Sequence, residues 1–166
     1  MKKGEYVVDQ DKQSIFDEYK FSRHMIQMRD ARIIGCDFEN KNPFSGESSF
    51  NIKFSLKRNV KLISPDLCHG FLYAHIDIAS KKDDKLVMPI DIKCMGNFIL
   101  SEGESLGEDE FVRQVALQLV PQLLPYVREL LSTISTMSLA VPIILPTMDV
   151  IQSIRLNKGR HNDGKN

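Results

Sequence analysis

The chain has 166 residues, 42% of them hydrophobic and 27% charged, which suits one domain able to bury about two thirds of the surface its unfolded form exposes. Its 22 basic and 22 acidic residues cancel, excluding the global field that draws a protein onto nucleic acid or anionic lipid. Cys36, Cys68 and Cys94 are widely spaced with no Cys-x-x-Cys pair, which argues against a disulfide framework and a zinc site and predicts reduced, mostly buried thiols.

Residues 1–12 are polar and are expected to be mobile. Asp9, Asp11 and Lys12 stand where a signal peptide needs an apolar run, so a cytoplasmic location is expected. Ile15, Phe16, Tyr19 and Phe21 serve the helical or the extended period equally, so the stretch from Ser14 to Phe21 reads as a short helix or an extended arm.

From Ala31 to Asn40, Ser48 to Ile63, Gly70 to Ala79 and Leu86 to Leu100, apolar residues alternate with polar ones, as in half-buried strands. Turn signals separate these runs: Asn42-Pro43 with Ser45-Gly46, then Ser64-Pro65-Asp66, then the charged stretch from Lys81 to Lys85. Four strands with short connections predict an antiparallel sheet. In the last of them, alternation sets Ile90, Ile92 and Cys94 on one face and Asp91 and Lys93 on the other.

The period then changes. Glu108, Asp109 and Glu110 place negative charge at a helix N-terminus, where the macrodipole favours it. Ala116, Val120, Leu123, Val127, Leu130, Ile134 and Met137 follow as one apolar stripe, and Leu117, Leu124 and Leu131 widen it on one flank. That excess points to a second partner, another subunit or a bound client. Pro121 and Pro125 lie inside this helix, each at a local cost of roughly 3 kcal/mol. Pro142-Ile143-Ile144-Leu145-Pro146 reads as a rigid extended crossing, after which Thr147 caps a short last helix bearing Val150, Ile151 and Ile154. The tail from Asn157 to Asn166 is polar and mildly basic and is expected to be disordered. No apolar run approaches the roughly 20 residues that span a bilayer.

Candidate chemistry is sparse. Cys68, His69, His75 and Asp77 match no ligand or triad spacing, and the Gly103 to Gly107 loop lacks a phosphate-binding lysine. Adjacent carboxylates at 108–110 do not converge on an ion. No acid, base or nucleophile constellation stands out, so no enzyme activity, metal or cofactor is expected.

The order of a Gly96-x-Phe98 strand end, a Pro121-x-x-x-Pro125-Tyr126-x-Arg128-Glu129 helix and a Leu145-Pro146 loop resembles the SecB family of export chaperones over about residues 30 to 156. The resemblance implies an α+β fold with a four-stranded antiparallel sheet, the long proline-containing helix and a short C-terminal helix. It divides the chain into an N-terminal arm (1–29), a SecB-like chaperone domain (30–156) and the polar tail (157–166). It implies a holdase whose apolar grooves take extended segments of a non-native client, an antitoxin or a preprotein, at Phe98, Tyr126, Leu139, Val141, Ile143, Ile144 and Leu145. It further implies self-association to a dimer or tetramer, with Ile90, Ile92 and Cys94 packing subunits and the excess flank at Leu117 and Leu124 adding to the interface.

The family's sheet also docks the export ATPase SecA through an acidic patch, to which Glu39 and Asp91 correspond. Gly35 and Pro89 fall where an aspartate and a leucine are expected, and the family's acidic tail is absent. These departures favour a dedicated chaperone of a toxin–antitoxin system over a general export chaperone. A scaffold that binds one folded partner is the further alternative.

Overall fold

The computed structural model describes residues 10–146. Helix α1 (Gln10–Met25) runs directly into strand β1 (Ile26–Phe38). Strands β2 (Phe50–Ser64), β3 (Leu67–Ser80) and β4 (Leu86–Leu100) form a meander, and helix α2 (Glu108–Leu139) follows. The class is α+β, one four-stranded sheet with antiparallel pairings in the order β1-β4-β3-β2. The expected mobile first residues, the last helix with Val150, Ile151 and Ile154, and the tail lie outside the described residues. Among the described residues no helix is long and apolar enough to cross a membrane.

Alternation builds the sheet. One face carries Leu72, Ile76, Ile78, Ile90, Ile92 and Phe98, all fully or almost fully buried beneath α2. The other face carries Tyr73, His75, Asp91 and Lys93, all exposed. Strand β1 starts at Ile26, earlier than the Ala31 predicted from the pattern. A register shift between Met28 and Asp30 interrupts the alternation there, and that irregularity hides the first turn of the strand from a period-2 reading.

The close seat of α2 depends on two glycines. Gly70 and Gly96 are directly opposed across β3 and β4. A Cβ on Gly70 would come within 2.6 Å of the Phe98 ring and 2.9 Å of Leu119, and one on Gly96 within 2.9 Å of the same ring. The missing side chains make a notch that holds Phe98 flat and lets Leu119 and Leu123 reach the sheet. Burying a ring of this kind stabilises by roughly 2–3 kcal/mol.

The core row of the helix shares Leu123, Val127 and Ile134 with the predicted stripe and departs from it toward both ends. Phe111, Val115, Leu119, Leu123, Val127, Leu131 and Ile134 face the core, while Ala116, Val120 and Leu130 are half-buried and Met137 is 83% exposed. Apolar residues lie on both flanks of α2, so periodicity alone does not choose between them, and the glycine notch does. This tertiary contact also carries the helix through Pro121 and Pro125, which lie away from the core row.

The stretch from Ser14 to Phe21 is helical and packed rather than a free arm. Ile15 and Tyr19 cover Leu117, Ser22 Oγ donates to the Gln114 carbonyl at 2.9 Å, and Arg113 pairs with Glu18 and Glu110. Part of the excess apolar flank of α2 is therefore covered by the chain's own α1. At its other end α2 stops at Ala140 in the left-handed region (φ 56°). Ser135 Oγ then accepts the Ile143 N–H at 2.7 Å, pinning the extended crossing to the helix.

Candidate functional site

Sheet order leaves β1 at an edge, so its outer N–H and C=O groups have no ladder partner within the described sheet. On the helix side of β1 the register places Met28, Ala31, Ile33 and Phe38 opposite Phe98, Gly96, Cys94 and Ile90. Those four strand residues are half-buried or exposed, because α2 covers this margin less fully than the middle of the sheet, with Met28 and Ala31 still packed against the core. Ile34, at the register shift between Ile33 and Gly35, is exposed as well.

Between this margin and the outer flank of α2 lies a groove of about 430 Å³ lined by Met28, Pro121, Gln122, Pro125, Tyr126 and Glu129. Its floor is a thioether, its wall two proline rings. Its rim carries a phenol, an amide and a carboxylate. Proline here has a positive use: each ring adds rigid apolar carbon to the wall. The arrangement suits an extended polypeptide that lays an apolar side chain into the groove and its backbone along an open strand edge. It contains no nucleophile with an adjacent base.

The structure divides the predicted client residues between surface and core. Tyr126 borders the groove, Ile144 is 72% exposed, and Leu139 and Val141 are half-buried. Ile143 and Leu145 are buried, alternating with Ile144 along the crossing and anchoring it to the core. Phe98 is fully buried in the glycine notch, so a client does not touch it in this conformation. Met28, Pro121, Gln122, Pro125 and Glu129 were not singled out as groove residues. The two prolines were conspicuous in sequence as helix breakers, and their shared outer flank was the signal available.

The residues expected at a subunit interface are covered within this chain. Ile90, Ile92, Cys94 and Leu124 are buried in the chain's own core under α2, and Leu117 is covered by α1. A second subunit does not reach them without displacing a helix. The apolar surface that is accessible lies on β1, at Ile33, Ile34 and Phe38. Cys68 and Cys94 are buried, in keeping with mostly buried thiols, and Cys36 on β1 is the exposed one of the three.

Of the two carboxylates assigned to a docking patch, Glu39 is exposed just beyond β1. Asp91 accepts from His75 Nδ1 at 2.9 Å, and His75 Nε2 lies 3.4 Å from Asp77. The Asp91 hydrogen bond, with the charges of Asp91 and Asp77, raises the His75 pKa above its ordinary 6.5. Asp91 is thus engaged by a histidine within its own sheet.

No family model matches the chain. No curated protein matches it either. Among solved structures it is similar to the SecB-like chaperone Rv1957 of Mycobacterium tuberculosis, in complex with a ChAD peptide from the antitoxin HigA1 (Rv1956). The TM-score is 0.67 at 17% identity, covering 81% of this chain and 99% of that one. It is also similar, at a TM-score of 0.42 and 11% identity, to a Streptococcus agalactiae protein of unknown function, over 74% of this chain and 97% of that one. The first likeness gives the fold: the chain has a SecB-like fold.

Proposed function

We propose that this SecB-like chain is an ATP-independent holdase that binds extended segments of a non-native polypeptide, with an antitoxin of a toxin–antitoxin system as its dedicated client. The observation that carries the reading is the groove of Met28, Pro121, Pro125 and Tyr126 beside the open edge of β1. The fold shared with a chaperone whose structure holds an antitoxin peptide supports the choice of client. Binding is by burial, worth about 25 cal/mol per Å² of apolar surface, and involves no covalent step. The chain acts in the cytoplasm as a dimer or tetramer, and the exposed Ile33, Ile34 and Phe38 of β1 supply the contact between subunits.

Two measurements test this reading. The full chain should suppress aggregation of an unrelated denatured protein at near-stoichiometric amounts, and Tyr126→Asp should weaken that suppression while leaving the circular dichroism spectrum unchanged. A tagged pull-down from the native host should recover one or two stoichiometric partners. A broad set of precursors together with SecA would establish export instead. Failure to suppress aggregation, with one folded partner recovered, would establish a scaffold.

A further inference from the structure

The sheet face turned away from α2 is charged in an uneven way. Register places Gly35, Lys93, Tyr73 and Lys57 in one row across the four strands. The neighbouring row is Arg32, Met95, Phe71 and Asn59, and beyond it His69 is opposite Lys61. Lys93, Lys57 and Tyr73, with Gly35, His75 and Asp91, line a concavity of about 810 Å³. A Cβ on Gly35 would lie 3.4 Å from Lys93 Cδ, so the lysine stem rests along the glycine and leaves the floor open.

The carboxylates of this face that lack a lysine or arginine partner, Asp37, Asp77 and Asp91, gather in the rows on the far side of Lys93, where Asp91 and Asp77 both lie against the one imidazole of His75. Asp30 is met by Arg32 at 3.3 Å and by Asn97, and Lys53 meets Asp84 at 3.5 Å. Lys57, Lys61 and Lys93 make no ion pair among the described residues, whereas of the acids in the concavity Asp91 is hydrogen-bonded to His75 and Asp37 makes no ion pair there. Lys93 and Lys57 therefore stand on either side of the 37% exposed Tyr73, with Phe71 in the next row and Lys61 in the row beyond. Lys93 and Lys57 flank Tyr73 about 10 Å apart, and Lys61 follows Lys57 about 14 Å along the strand.

We propose that this face is a docking surface for an acidic segment of a partner polypeptide, with its carboxylates on Lys57, Lys61 and Lys93 and an apolar side chain on Tyr73 and Phe71. The charge is opposite to that of the acidic patch expected at Glu39 and Asp91. A peptide fits better than a single-stranded nucleic acid, because Asp37 and Asp91 in the same concavity would confront a phosphate at each step. A peptide need place charge only where the lysines are. The face lies on the other side of the sheet from the proline groove, so both can be filled at once. The proposal does not rest on the holdase reading.

The test is fluorescence anisotropy on the full chain with a labelled peptide of alternating glutamate and phenylalanine. Comparison probes are its lysine–phenylalanine counterpart and a thymidine strand of equal length. The acidic peptide should bind best and weaken as salt rises. Lys57→Glu with Lys93→Glu should cost at least about tenfold in affinity, and the neutral Lys57→Gln with Lys93→Gln about threefold. Equal binding of the acidic and basic peptides, tighter binding of the oligonucleotide, or curves unmoved by both lysine pairs would overturn the proposal.

Discussion

Gly70 and Gly96 hold the tightest tolerance in the molecule. An alanine at Gly70 must push aside both the Phe98 ring and a Leu119 methyl. Gly70→Ala is expected to destabilise by about 1–3 kcal/mol, readable as a lower urea midpoint, and an unchanged midpoint would show that the notch is not close-packed. Burial pushes the Cys68 and Cys94 thiols up to about 11, so both stay protonated at neutral pH and make poor nucleophiles. With a thiol-reactive chromophore, Cys36 should react first in the folded chain, and all three cysteines together only in denaturant. For His75 the folded pKa lies above the unfolded one. Its stabilising contribution is therefore fully present below the unfolded value, near 6.5, and lost as pH rises through the raised folded value. In an NMR titration, Asp91→Asn should move the His75 midpoint down toward 6.5. Little of this was legible in the one-dimensional pattern. The resemblance implied binding and interface roles for Phe98 and Ile92, while their apolar type says only that a side chain wants cover and not which surface provides it.

At the scale of elements, α2 carries two conflicts between local preference and tertiary context. Its prolines forgo helix hydrogen bonds, and its end forces Ala140 into a left-handed backbone. Pro125→Ala should raise the melting temperature, since proline costs up to about 3 kcal/mol in a helix interior, while weakening peptide capture at the groove it walls. A variant that gained stability and kept full capture would remove proline from the proposed site. Ala140→Gly should stabilise by roughly 0.5–1 kcal/mol through relief of the left-handed residue. The elements themselves were readable: four alternating runs, then one helical run bounded by acids and a proline-bracketed crossing. The start of β1 was not, because a bulge breaks the period. The choice of core stripe on α2 was not either, because the glycines that decide it lie on other elements. α1 was left open because Ile15, Phe16, Tyr19 and Phe21 satisfy both periods, and it is contacts with the distant α2, at Leu117, Gln114 and Arg113, that select the helix.

At the scale of the whole molecule, the two sheet edges are unlike. β2 is lined with Lys53, Lys57 and Lys61 along its open face, whereas β1 offers Ile33, Ile34 and Phe38. Charged edges resist further pairing and apolar ones invite it. Ile33→Lys with Ile34→Lys should therefore shift the light-scattering mass toward the monomer with the fold intact, and an unaltered mass would place the contact elsewhere. In contrast, Ile92→Asp would bury an unpaired charge inside this chain's own core and should unfold it rather than merely separate subunits.

The pairing of β1 with β4 joins the beginning of the sheet to its end, Ile26 with Leu100. Synthesis proceeds from the N-terminus, so β1 leaves the ribosome well before its partner exists. The meander of β2, β3 and β4 closes through short turns, and β1 is the last strand to be admitted. Throughout that interval the newborn chain displays an extended apolar segment with no mate. It is then the same kind of object that a finished copy is proposed to hold, and mature copies would be among the first proteins able to shelter it.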